Sequence, residues 1–142
     1  MAITQGMSKF FKLQIFEKGH NLVDDVLKIA LYTDAATIGP DTPAYTADGE
    51  VSGVNTGYTT TGQTLAARTV VTNGESACFT ATDPEWTSAS FTTAGALIYN
   101  SSRVDNAAVG AITFGQNYTI SNGTFRIIFP AQEAGTAIVR ID

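Results

Sequence analysis

One cysteine, one histidine, one tryptophan and four prolines stand in a chain of 142 residues, and each scarcity closes off a class of protein. The lone Cys78 cannot form an internal disulfide; in "SACFTAT" it reads as a small buried thiol among alternating apolar residues. His20 alone cannot supply a histidine-rich metal site, and Asp24 and Asp25 beside it complete no zinc motif. It reads as a turn histidine. A Cys–His nucleophilic pair would require Cys78 with His20, and nothing local offers a third, orienting group. No nucleophile elbow, phosphate loop, dinucleotide fingerprint or EF-hand loop occurs. The residues therefore give no catalytic, metal or cofactor assignment, and the expectation is a non-enzyme.

Charge is equally sparse, at 15% of residues against about 25% in an average soluble protein. The net charge of −5 argues against a nucleic-acid partner, because phosphate binding needs a basic surface. No apolar run reaches transmembrane length, so no membrane partner is expected. The opening "MAITQGMSKFFKLQIFEKG" is broken by charges and does not read as a secretory signal. The expectation is synthesis in a reducing cytoplasm, where the sequons at Asn100, Asn117 and Asn122 are incidental.

What remains is threonine, 13 glycines and 44% hydrophobic residues, a composition suited to strands and tight turns. The length fits one domain that buries roughly two thirds of its unfolded surface. Residues 8–18, "SKFFKLQIFEK", read as a short helix with Ser8 as N-cap and Gly19 as the stop. "VLKIALYT" (26–33) alternates as a strand. The stretch 34–49, "DAATIGPDTPAYTADG", reads as a long loop, and long ordered loops tend to be functional. Further strands follow near 50–60 and at 63–72. Asn73-Gly74 joins "LAARTVVT" to "ESACFTAT" as a hairpin. After the stretch 86–102 come 107–115, then 124–130 introduced by Asn122-Gly123, with Phe125, Ile127 and Phe129 on one face. Ala137, Val139 and Ile141 share a face in the closing segment. About eight strands and one helix predict a mainly β domain over 1–142, a two-sheet antiparallel sandwich of jelly-roll type with an N-terminal helix or arm at 1–20.

The stretch 86–102, "WTSASFTTAGALIYNSS", departs from simple alternation: from Ala94 onward both faces are apolar. A sheet with one wet face keeps alternating, so both faces of this strand need cover. Residues 91–99 should form a central strand with Leu97 and Tyr99 toward the sandwich core. Ala94, Ala96 and Ile98 should lie under residues 8–18 or under a second subunit.

All four lysines fall in the first 28 residues, and ten acids against four arginines fill the remainder. Lys9, Phe10, Phe11, Lys12 and Phe16 thus offer apolar area with positive charge as a candidate protein contact. Ile38 and Tyr45 represent a second candidate, the loop 34–49. Asp83-Pro84-Glu85-Trp86 sets two carboxylates beside an aromatic, a pattern compatible with sugar binding, although Asp-Pro is equally a strand terminator. The five tyrosines suit a sandwich core with wet hydroxyls.

The order of segments "FFKLQIFEKGHNL", "KIALYT", "GEVSG", "WTSASFTTAGALIYN" and "FRIIFP" resembles a family of small virion structural proteins of tailed bacteriophages, over nearly the whole chain from about residue 10. The resemblance implies a virion protein, foremost a cement or decoration protein on the capsid exterior. Its implied partners are the major capsid protein and further copies of itself, as a dimer or trimer. A tail or baseplate component is the nearest alternative reading, and a glycan-binding surface domain the next. No residue-level site comes with the resemblance.

Overall fold

The two longest elements are strands built from segments rich in threonine, aromatic and apolar residues, β6 (Glu85–Asn100) and β7 (Ala108–Arg126). They form one antiparallel hairpin running from Glu85↔Arg126 to Tyr99↔Ala108. The computed structural model describes residues 3–129 and 138–141. Its other elements are β1 (Gly6–Met7), α1 (Lys9–Phe16), β2 (Leu27–Tyr32), β3 (Gln63–Thr64), β4 (Thr69–Asn73), β5 (Ser76–Thr80) and β8 (Val139–Ile141). The strands make two antiparallel sheets, ordered β1-β7-β6-β2-β3 and β4-β5-β8. The protein is mainly β with one short helix, and neither sheet closes into a barrel. Of the closing segment, Ala137 lies outside the described residues.

The hairpin expected at Asn73-Gly74 forms, with its turn one residue on, whereas the second Asn-Gly pair departs from expectation. In the β4–β5 hairpin Asn73 pairs with Ser76, so the turn residues are Gly74-Glu75, with Gly74 at φ +63°. Glycine first in a two-residue loop matches the right-handed twist of the flanking strands. Asn122-Gly123 is no turn at all: β7 runs straight through it. Asn122 takes a left-handed φ of 50°, its N–H donates to Ser90 Oγ at 3.0 Å, and the β6–β7 register shifts alongside. That is a β-bulge, matched on β6 by Ser88 at φ 49°.

A second irregularity reorders the faces of β6. Between Thr93 and Gly95 the register shifts again, Thr93 pairing with Tyr118 but Gly95 with Thr113. Before the shift Phe91 points into the main core; after it Ala96 and Ile98 do. Leu97 and Tyr99 therefore look away from the core that holds Phe91 and away from the second sheet. The expected assignment is corrected accordingly: one shift reverses which parity faces which side.

Both faces are covered. Ala96 and Ile98 share the main core with Phe11 of α1, with Leu27, Ile29 and Leu31 of β2, and with Phe79 of the small sheet. Helix α1 joins this core through Phe11, while its main strand contacts run to β7. Leu97 and Tyr99 join Ala30, Tyr32, Ala108 and Ala111 in a second cluster under Ala36, Ile38 and Tyr45. The long loop 34–49 is the lid on that face, anchored by bridges Ile3↔Ile38 and Ala44↔Ala107. Ala94 sits at the shift, beside Ile3 and Asn117.

Candidate functional site

Helix α1 begins where Ser8 caps it. The Ser8 hydroxyl accepts the Phe10 N–H at 3.3 Å and donates to Thr42 O at 2.8 Å, so the cap also ties the helix to the loop. The Lys9 N–H donates to Pro40 O at 2.8 Å, and Lys9 Nζ pairs with Asp41 at 2.8 Å on the surface. At the other end the N–H groups of Gly19 and Lys18 return to Gln14 O and Ile15 O. This is a Schellman motif, with Lys18, at φ 59°, as its left-handed residue. Gly19, expected as the stop, follows one position later, where Arg103 Nη1 binds its carbonyl at 2.7 Å.

With the helix so fixed, its sides are assigned. Phe11 is fully buried and packs against His20 at 4.7 Å between ring centres, so Phe11 is a core residue and leaves the candidate contact. Phe10 is half-buried under the Lys9 ammonium, 5.3 Å from its ring centre. The outward stripe is Lys9, Lys12, Leu13 and Phe16, all exposed, at the i, i+3, i+4, i+7 spacing of one helical face. Phe16 is 89% exposed and Leu13 56%. Leu13 was missing from the sequence candidates; counting helical periods from Lys9 would have found it.

The loop candidates turn inward. Ile38 is buried in the second cluster, and Tyr45 is half-buried with its ring 4.9 Å from that of Tyr99. Neither is an exposed contact. What the loop does present is an open depression of about 700 Å³ bounded by Thr4, Pro40, Asp41, Pro43 and Tyr45. The Lys9–Asp41 pair joins its rim to the α1 stripe, so the two candidate surfaces adjoin.

Behind this surface lies a polar clamp that sequence reasoning missed. Glu50 accepts the hydroxyls of Tyr45 and Tyr58 at 2.5 Å each and the Thr61 N–H at 2.8 Å. Tyr32 and Tyr99 donate to Thr46 O and Thr61 O at 2.7 and 2.6 Å. Four of the five tyrosine hydroxyls are thus bound to protein rather than wet. Burial first, then the Glu50 charge, pushes the phenols of Tyr32 and Tyr45 above their ordinary range. These groups hold the loop; their geometry offers no nucleophile or acid–base pair aimed at open space.

His20 is likewise structural. Its Nδ1 faces Asn100 Nδ2 at 3.0 Å and its Nε2 faces Gln14 Oε1 at 2.8 Å, an arrangement that fits the neutral ring with the proton on Nε2. Burial, then Arg103, lowers its pKa. Asp83 is engaged within the fold, accepting the Phe129 N–H at 2.8 Å and Arg126 at 3.2 Å, while Trp86 is buried in the core. The described residues hold no group of three or more His, Cys, Asp or Glu placed for a metal ion, and no helix long and apolar enough to cross a membrane. Compared with known proteins, the chain matches no family model, no curated protein and no solved structure.

Proposed function

We propose that this chain is a non-enzymatic structural protein of a tailed-phage virion, a cement protein that docks on the outside of the assembled capsid shell. The observation that carries the proposal is the α1 stripe: Leu13 and Phe16 stand in solvent beside Lys9 and Lys12 on a helix fastened at both ends. Large apolar side chains displayed on a rigid element suit a pre-formed protein contact, and the neighbouring lysines suit an acidic rim on the partner. The two sheets, sharing Phe79 and Ile98 in one core, are read as opposed layers of a sandwich that gives this contact a stiff base. A cement protein stabilises by mass action, binding the assembled shell better than loose subunits. The partner is then the major capsid protein and the location the virion exterior.

Copy number tests this reading. A cement protein fills repeated shell sites, so densitometry of purified virions against the major capsid protein should give a copy number per particle of the same order as the shell's repeats. A dozen copies or fewer would instead indicate the tail or baseplate. The glycan-binding reading is weaker on geometry, because Trp86 is buried and Tyr118 alone of that pair is exposed.

A further inference from the structure

The outer edge of β7 runs for much of its length without a described neighbouring strand. β1 pairs with β7 only at Gly110 and Ala111, and Gln5 Oε1 takes the Thr113 N–H at 3.3 Å. From Phe114 to Arg126 no described strand lies outside β7, although β6 flanks its inner side. Soluble proteins blunt such edges with lysine, proline or brevity. Residues 112–126 contain no lysine or proline, and their single charge is Arg126, which is tied to Asp83 at 3.2 Å. Beside the edge the core is open: Phe114, Tyr118, Phe125, Ile127 and Ile128 line a groove of about 620 Å³. Tyr118 and Ile128 are 43% and 76% exposed.

We infer that this edge pairs antiparallel with β7 of a second copy of the chain about a two-fold axis near Thr119, continuing the five-stranded sheet across a dimer. The pattern of irregularities favours the self-pairing. The stretch Tyr118–Ile120 pairs regularly with β6, between the shift at 114–117 and the bulge at 121–122. A register centred on Thr119 sets each irregular stretch against the other in the second copy, with Gly115 opposite Gly123. Neither glycine carries a side chain into that pairing, and the space at Gly115 is open, since a Cβ there meets nothing within 4 Å. The same register sets Arg126 opposite Ile112, so no like charges meet. A foreign partner would need charge to choose it, and this edge offers none. The free stretch that is symmetric about Thr119, residues 114–124, spans about 36 Å, and at a sheet thickness of roughly 10 Å it covers about 360 Å² per copy. That totals roughly 700 Å², and the side chains of the groove beside the edge must supply the rest of the roughly 1,000 Å² at which specific interfaces begin.

The test is oligomeric state, which is independent of shell binding. Sedimentation equilibrium should give twice the 15.0 kDa chain mass. Thr119→Lys opposes two ammonium groups at the axis and should weaken dimerisation at least tenfold, with an unchanged circular dichroism spectrum. Thr119→Cys puts two thiols at a self-paired position, about 4.5–5.5 Å apart between Cα atoms, within disulfide reach. It should cross-link quantitatively under mild oxidation, while Val104→Cys, fully exposed on the distant hairpin turn, should not. A monomer at all concentrations, a trimer, or equal cross-linking of the two cysteine variants would overturn the inference.

Discussion

Glu50 shows how one side chain can set the properties of several others. Its carboxylate receives two phenol hydroxyls and a backbone N–H from three points of the chain, Tyr45, Tyr58 and Thr61. Hydrogen bonds to a charged acceptor contribute about 1.5–3 kcal/mol each in mutational series, and an orphaned buried partner costs more than a lost pair. Glu50→Gln keeps the shape but offers one acceptor oxygen to three donors; it should lower the melting temperature by several degrees, with Glu50→Ala lower still. The tyrosines give a second readout. Burial above all raises the phenols of Tyr32, Tyr45, Tyr58 and Tyr99, so the unfolded chain releases these protons first. Their contribution is present below the ordinary phenol pKa of about 10 and is lost as pH rises past it. Alkaline titration followed by absorbance should show ionisation of these tyrosines coinciding with loss of fold. Smooth ionisation in a still-folded protein would contradict the clamp.

The acid limb belongs to His20. With burial and Arg103 holding its folded pKa below 6.5, the unfolded state binds the proton first, and stability rises with pH across that window. It is fully present above about 6.5 and falls as the pH drops toward the folded value, where a proton on Nδ1 would confront the Asn100 amide donor. Asp25 adds a separate decline at lower pH. Burial alone would raise its pKa, but hydrogen bonds from the Asn21 N–H and the Asn100 amide outweigh that and hold it down. Thermal melts from about pH 7.5 to 5 should show the first decline in the wild type and a flatter profile in His20→Gln, which cannot take up the proton. Equal slopes would remove His20 from the account.

At the scale of elements, α1 has two sides that substitution can tell apart. Phe11 is fully buried and Phe16 is 89% exposed. Phe11→Ala should cost about 3–5 kcal/mol by the combined loss of transfer energy and packing, whereas Phe16→Ala should stay within about 0.5 kcal/mol. Comparable losses from both would mean the helix is turned. Ala96→Glu tests the sheet, placing an unpaired carboxylate at a fully buried position of the main core, opposite Leu31 of β2. The cost should be several kcal/mol, a large share of a domain's stability, so a variant with an unchanged melting temperature would mean this face is wet. These elements also mark what could be read from sequence. Ser8, the period of β2 and the doubled apolar faces after Ala94 are local signals, and α1, β2 and the central place of β6 followed from them. The bulges at 93–95 and 122 depend on a partner strand's register, which local alternation does not encode. Hence Leu97 lies on the face opposite to the one that simple alternation predicts, and β7 continues through Asn122-Gly123 where the pair alone predicts a turn. The Glu50 clamp was invisible for the same reason: Tyr45, Tyr58 and Tyr99 converge only through strand pairing and the return of the loop. Gly62 belongs with them, since at φ +84° an added Cβ would run into the Ile29 carbonyl.

For the whole molecule, exposed charge and exposed apolar side chains meet on one face of α1, outside the core. The chain carries −5 overall, yet Lys9, Lys12 and Lys18 stand together around α1. Lys9 is already paired with Asp41, whereas Lys12 has no ion-pair partner among the described residues. If this face docks on the shell, Lys12→Glu and Phe16→Asp should leave the melting temperature of the isolated protein nearly unchanged, both side chains being exposed. Each should sharply reduce occupancy on shells that lack the protein, Lys9→Ala having the smaller effect because Asp41 already screens that charge. Binding should also weaken with salt, because exposed charges separated by more than about 8 Å are largely screened at physiological ionic strength. Shells refilled with wild-type protein should withstand a higher temperature before releasing DNA than shells refilled with Phe16→Asp. Should both variants fill the shell as the wild type does, the α1 stripe is not the docking face. Should the wild-type protein fail to bind shells and instead co-purify with tails, the cement reading itself is lost.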